Sequence, residues 1–206
     1  AGFLPGEMTI IAARPSMGKT SFALNVIRNI VLHGGSACFF SLEMPRIQVT
    51  SNMLCGLVKI DGHRLRGGFL TREEKRSFVQ ACDVLEPAQF FIDDSPTLST
   101  MELRAKGRRL RAQHDCELLV IDYLQLMSGS SRSARESRQI EVTEISRNVK
   151  ALARELEIPI ICLAQLSRKV EERADKKPMM SDLRESGSIE RDADKILLLY
   201  RPEYYD

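Results

Sequence analysis

Met8-Thr-Ile-Ile-Ala-Ala-Arg-Pro-Ser-Met-Gly-Lys-Thr20 decides the fold. Its opening is apolar and β-prone and reads as a buried strand. A loop of small and turn-forming residues follows, Ala13 to Gly18, and Lys19 and Thr20 start an amphipathic helix. Strand, loop and helix in this order are the context that makes G-x-x-x-x-G-K-[ST] a phosphate-binding loop. Backbone N–H groups of such a loop cradle phosphate oxygens, and the helix N-terminus adds a favourable dipole. In this reading the nucleotide is held by Ala13, Arg14, Pro15, Ser16, Met17, Gly18, Lys19, Thr20 and Ser21. Lys19 reaches the β- and γ-phosphates, and the Thr20 hydroxyl sits on Mg2+. The pattern asks for Gly where the chain has Ala13, which Ala can fill only if that residue keeps φ negative. The competing reading is a chance Gly-Lys-Thr in an ordinary strand-to-helix turn.

Outward from this stretch, short apolar runs alternate with helical patterns. The strand candidates are Thr9–Ala12, Ala37–Ser41, Phe90–Ile92, Leu118–Ile121, Ile160–Ala164 and Ile196–Tyr200. Each is nearly continuously apolar, as strands covered on both faces are. In the first helix Phe22, Ala23, Val26, Ile27, Ile30 and Val31 form one face, and Gly34-Gly35 ends it. A second helix covers roughly 46–57. Thr71 caps a third, with Glu73 and Glu74 in its first turn, and Ser99 or Thr100 caps a fourth that runs to about His114. The longest spans about 136–157, where Val142, Ile145, Val149, Leu152 and Leu156 recur at spacings of three and four. Strands separated by helices predict an α/β domain with a mainly parallel sheet and helices on both faces. Two polar loops, 128–138 and 167–187, follow strand ends, where open α/β sheets bind ligands.

Length and composition narrow the function classes. The 206 residues suit one domain with a proper core, and 43% hydrophobic and 28% charged residues are ordinary for a globular protein. A net charge of +2 gives no global argument for nucleic acid, so that case rests on local patches. The five cysteines are scattered without a C-x-x-C pair, which argues against zinc and for reduced residues of a cytoplasmic protein. No apolar run approaches the length of a membrane span, and no stretch reads as a secretory signal. The chain starts almost on its first strand, so an excised fragment of a longer protein is expected.

A triphosphate site needs a metal-holding carboxylate at the end of a buried strand, and Leu118-Leu-Val-Ile-Asp122 has that form. Asp122 alone would equally suit the start of a turn; the upstream phosphate loop favours metal. Glu43 ends Phe39-Phe40-Ser41-Leu42-Glu43, where it either acts as general base on water or opens a helix before Pro45. Gln165 either senses the γ-phosphate or is simply a polar strand terminus. Basic residues gather in three places. Arg104, Lys106, Arg108, Arg109 and Arg111 read as a solvated helix face. Arg132, Arg135 and Arg138 fall in one polar loop, and Arg168, Lys169, Arg173, Lys176, Lys177 and Arg184 in the other. Flexible basic loops beside a nucleotide site suit phosphate-backbone binding with little base readout. Neither carries aromatic residues for base stacking. Gly187 would let backbone amides approach a phosphate closely.

Five ordered motifs resemble one family. Ala13-Arg-Pro-Ser-Met-Gly-Lys-Thr20, Ser41-Leu-Glu-Met44, Ile121-Asp-Tyr-Leu-Gln-Leu-Met127, Ala164-Gln-Leu-Ser-Arg168 and Asp182-Leu-Arg-Glu-Ser-Gly-Ser-Ile-Glu190 are similar to those of the DnaB family of bacterial replicative DNA helicases. That family's phosphate loop has Ala at the position of Ala13. The pattern departs at Arg191, where the family usually has Gln. The resemblance implies a RecA-like ATPase domain that uses ATP and Mg2+ in a homohexameric ring, moving 5′ to 3′ on single-stranded DNA. It implies that the Gln165 strand lies between the phosphate-loop strand and the Asp122 strand, that Gln165 sits beside the γ-phosphate, and that Glu43 is the catalytic base. It implies that the loops after Asp122 and Gln165 face the ring channel, with Arg184, Glu185 and Gly187 following the DNA backbone and Arg135 and Arg138 nearby. A primase and a helicase loader are the implied partners. The family's N-terminal domain and its C-terminal strand pair, which lends a Lys and an Arg to the neighbour's ATP, are expected to lie outside these residues. The alternatives are a RecA-like ATPase of recombination or repair, a phage-type primase-helicase, and a nucleotide-binding kinase. A kinase would lack the Glu43–Gln165 pairing and would need a pocket for its acceptor.

Overall fold

The computed structural model describes residues 2–129, 137–173, 175–183 and 187–205. The apolar runs become β1 (Met8–Ala13), β2 (Ser36–Ser41), β3 (Gln89–Asp93), β4 (Leu118–Asp122), β5 (Ile160–Gln165) and β6 (Lys195–Leu198). They form one sheet in the order β3-β2-β4-β5-β1-β6, with every pairing parallel. The expected parallel sheet is therefore present, with β5 between β1 and β4. Parallel neighbours need crossovers, and helices supply them: α1 (Lys19–Leu32), α2 (Arg46–Val58), α3 (Gly62–Arg66), α4 (Arg72–Leu85), α5 (Thr100–His114), α6 (Arg138–Leu156) and α7 (Gly187–Asp192).

Side chains alternate across the sheet and build two cores. Ile10, Ala12, Cys38, Phe40, Leu119, Ile121 and Cys162 pack toward Leu103 of α5 and toward Val142, Ile145, Val149 and Leu152 of α6. Ile11, Phe39, Leu118, Val120, Ile161 and Leu163 pack toward α1 and α2. The helices lie on both faces, as the continuous apolar strands require.

Several local expectations shift. The buried face of α1 is Ala23, Leu24, Ile27 and Val31, while Phe22 is 39% exposed. Leu24 takes the place expected of Phe22, because the stripe through Ile27 and Val31 continues back through Ala23 and Leu24. The helix ends at Gly34 as predicted: Gly34 has φ 84°, and its N–H and that of Gly35 bond to Val31 and Ile30 carbonyls. β3 is only half-buried because it is an edge strand with β2 as its neighbour, although Phe91 packs on one core and Phe90 and Ile92 on the other. β6 stops at Leu198 rather than Tyr200, since its partner β1 gives way to the phosphate loop just after Ala12 pairs with Leu198. Thr71 and Ser99, not Thr100, cap their helices in reciprocal boxes with Glu74 and Glu102. α3 and α7 are too short for periodicity to reveal.

Candidate active site

The site forms where β1, β2, β4 and β5 release the chain at their C-terminal ends. Ala13 closes β1 opposite Gln165 of β5, and its φ is not positive, so Ala serves there as well as Gly. The loop turns instead through left-handed conformations at Ser16, φ 63°, and Gly18, φ 94°. Among the described residues nothing beyond the adjoining chain lies within 4 Å of where a Gly18 Cβ would sit, so conformation and not crowding calls for glycine. Gly18 is the N-cap of α1 and has no side chain to cap the first turn, so among the described residues the N–H groups there are left for an anion. Met17 is buried, and the Arg14 guanidinium bonds to the Leu166 carbonyl and Glu171, each at 2.8 Å.

A cleft of about 330 Å3 opens over this turn, lined by Pro15, Ser16, Lys19, Thr20, Glu43 and Gln165 among others. Thr20 Oγ1 donates to Asp122 Oδ2 at 2.7 Å. Asp122 is fully buried, and among the described residues its Oδ1 has no hydrogen-bond partner. Burial pushes the Asp122 carboxyl above its usual range, against the opposing effects of the Thr20 hydroxyl and the Lys19 charge. Burial likewise lowers Lys19, which Asp122 and Glu43 partly offset. The Lys19 ammonium lies 5.3 Å from the centre of the Tyr123 ring. Each of these groups is pushed toward neutrality by its shelter from water, and a divalent cation with a polyphosphate would relieve that.

The donor set fits Mg2+ with a nucleotide. Among the described residues no group of three or more His, Cys, Asp and Glu side chains converges into a metal cage. Magnesium does not need one: it is held through one or two protein oxygens, phosphates and water. Thr20 Oγ1 and the orphaned Asp122 Oδ1 are such oxygens.

Glu43 sits in a turn fixed by Ser41, whose hydroxyl donates to the Met44 carbonyl at 2.6 Å and accepts from the Met44 N–H. α2 starts three residues later with Pro45 as its N-cap and no acid in its first turn, so Glu43 does not open a helix. It lines the cleft with Lys19 and Gln165.

The described parts of the loops expected to meet DNA are held by specific hydrogen bonds and ion pairs. Arg135, Arg184 and Glu185 lie outside the described residues, and Gly187 begins α7. Arg138 opens α6 with its guanidinium on Glu141 and the Gln125 carbonyl, while Glu141 accepts the Gly129 N–H at 2.9 Å. Arg173 grips the buried carboxylate of Asp182, Nη1 to Oδ1 at 2.8 Å and Nη2 to Oδ2 at 2.5 Å, which holds that carboxyl below its usual range. The Met179 N–H also donates to Asp182, at 2.7 Å, and 3-10 turns occupy Arg168–Glu172 and Met180–Asp182. The basic face of α5 is a solvated, ion-paired one: Arg104 and Arg108 meet Glu155, and Lys106 meets Asp93. Sequence reasoning misses the Arg14 contacts and the Tyr123 ring over Lys19; an aromatic directly after Asp122 is the available signal for the second.

A parallel sheet whose first strand runs into a Gly-Lys-Thr turn, with the Thr hydroxyl on a buried strand-end aspartate, defines a P-loop nucleotide-binding α/β domain. A family model for the DnaB-like helicase C terminal domain matches residues 1–206, and the chain belongs to that family. It is 51% identical over 207 residues to the replicative DNA helicase DnaB of Geobacillus stearothermophilus, covering 100% of this chain and 45% of the relative. It is 50% identical to the replicative DNA helicase DnaC of Bacillus subtilis (strain 168) over the same shares. Among solved structures, a DnaB-like replicative helicase studied with its primase interactions superposes with a TM-score of 0.92 at 36% identity, over 100% of this chain and 49% of that one. A second solved structure, described as an ATPase domain, superposes with a TM-score of 0.91 at 36% identity, over 100% of this chain and 73% of that one. The chain thus spans just under half the length of the curated relatives it matches.

Proposed function

We propose that this chain is the ATPase motor domain of a replicative DNA helicase, a RecA-like domain within a longer protein. ATP hydrolysis with Mg2+ drives 5′ to 3′ movement of a homohexameric ring on single-stranded DNA and unwinds the duplex during replication. The observation that carries the reading is the 2.7 Å Thr20–Asp122 hydrogen bond beside a buried, unpartnered Asp122 Oδ1, in one cleft with Lys19, Glu43 and Gln165. When bound, Mg2+ neutralises charge on the phosphates. Lys19 and the loop from Ala13 to Ser21, through its backbone N–H groups other than at Pro15, hold the phosphates, and Thr20 and Asp122 hold the metal. Glu43 takes a proton from water, and Gln165 orients toward the γ-phosphate. Arg184, Glu185 and Gly187 follow the DNA backbone, with Arg135 and Arg138 supporting the same channel loops; this rests on the family motifs. A primase and a helicase loader are the partners proposed for the full-length protein, which works in the cytoplasm. Among the described residues no helix is long and apolar enough to cross a membrane.

Glu43→Gln in the full-length protein tests the chemistry. ATP and Mg2+ should still bind, while turnover, and with it displacement of a strand from a 5′-tailed duplex, falls by about 10² or more. Collapsed nucleotide affinity with normal turnover per bound ATP would make Glu43 structural and remove the assignment.

A further inference from the structure

Arg14 belongs to the phosphate loop, yet only 9% of its side chain is exposed. Its two hydrogen bonds leave the loop. Nη1 donates to the carbonyl of Leu166, the residue after Gln165, and Nε donates to Glu171 in the turn Arg168–Glu172. Arg14 therefore grips both ends of the first turn after β5.

That turn is part of a closed unit. The Ser167 N–H donates to the Asp182 carbonyl at 2.9 Å, and the Ser167 hydroxyl accepts the Lys169 N–H. Arg173 and the Met179 N–H both hold the Asp182 carboxylate, which is 4% exposed. The described residues from Leu166 to Leu183 are thus tied into one hydrogen-bonded body, and Asp182 stands two positions before Arg184.

We infer that the Arg14–Glu171 pair couples the phosphate loop to the segment carrying Arg184 and Gly187, making Glu171 a positioning residue for nucleotide-dependent DNA binding. The inference rests on the helicase-motor reading above. Ion pairs between long exposed side chains contribute little strength. Here one partner is buried and doubly bonded, so what the pair supplies is geometry. A phosphate that shifts the loop at Pro15–Gly18 must shift Arg14, and Arg14 must carry Leu166 and the Arg168–Glu172 turn with it. This route is separate from any through Gln165, which ends β5 and lines the cleft. By linkage, DNA bound to the segment alters nucleotide affinity through the same contact by the same factor.

The test uses Glu171→Gln and Glu171→Ala in the full-length protein. Affinity for a single-stranded oligonucleotide is measured by fluorescence anisotropy with no nucleotide and with Mg2+ and a non-hydrolysable ATP analogue. The ratio of the two affinities is the readout. In both variants DNA affinity without nucleotide and ATP turnover without DNA should stay within about twofold of wild type, whereas the ratio should fall by about fivefold or more, the lower end of ordinary coupling factors. Glu171→Asp should restore part of it. A wild-type ratio in folded Glu171→Gln and Glu171→Ala would overturn the inference while leaving the motor reading intact. Failure of both variants to fold would also overturn it, by making the pair a structural clamp. A wild-type protein whose DNA affinity ignores nucleotide would instead sink the motor reading, and this inference with it.

Discussion

Asp122→Asn should stabilise the nucleotide-free domain while removing its response to magnesium. Asp122 is fully buried, and one of its oxygens has no hydrogen-bond partner among the described residues. An unsatisfied buried polar atom costs about 1–3 kcal/mol, and more when the group is charged. Asparagine keeps the shape and can still pair with Thr20, but its second polar atom inherits the empty place. Only the charge penalty is recovered, less the lost attraction to Lys19, which leaves a gain of about 1 kcal/mol. For a chain of this size that raises the melting temperature by about 2–4 °C.

The pH dependence gives the prediction its sign. Burial raises the Asp122 carboxyl in the folded state. As pH climbs above the ordinary aspartate range of about 3.9, the unfolded chain loses this proton first, so the folded state binds more protons and loses stability with pH. The loss is complete above the folded value. The advantage of Asp122→Asn should therefore be absent at acid pH, grow as pH rises through that window and be full above the folded value. Urea unfolding without nucleotide, repeated across pH, measures it; adding Mg2+ to a bound ATP analogue should then stabilise wild type further but not the variant. A variant more than about 1 kcal/mol less stable than wild type without nucleotide would refute the reasoning, because Asp122 would then be a structural group.

Lys19→Ala in the full-length protein should abolish ATP turnover and weaken nucleotide binding without loss of fold, since one charge-assisted phosphate contact is removed; wild-type turnover would sink the phosphate-loop assignment. Arg184→Ala should weaken single-strand binding about equally for all sequences and flatten its salt dependence, and unchanged affinity with an unchanged salt slope would move the DNA contact elsewhere. The 206-residue chain by itself should fold but hydrolyse ATP poorly, because an arginine on the γ-phosphate is worth about 10³ to 10⁵ in rate and the family resemblance has a neighbouring subunit supply it. Brisk turnover that survives dilution would show that no neighbour's residue is needed.

What is legible in the sequence has a local cause. β1, β4 and β5 are covered on both faces, so continuous apolar runs mark them, and Gly18 is demanded by its own φ. The strand order comes from the family motifs, because periodicity says which strands are buried and not which are neighbours. Its place at the sheet edge leaves β3 partly exposed although Phe91 packs on one core and Phe90 and Ile92 on the other, and the face of α1 slips because Phe22 and Leu24 fit a helical stripe about equally well. The largest shortfall lies where a charged side chain chooses a distant partner. Arg173 reads as one of six cations awaiting DNA, but nine positions on lies Asp182, a carboxylate that has to be buried and so has to be paired. Arg14 reads as one of the nucleotide-holding residues of the phosphate loop, but its guanidinium reaches 157 positions to Glu171. In a chain with 30 basic and 28 acidic residues, composition cannot say which opposites will meet. Counting basic residues in a loop therefore overstates what nucleic acid can use, because a buried acid such as Asp182 claims some of them first.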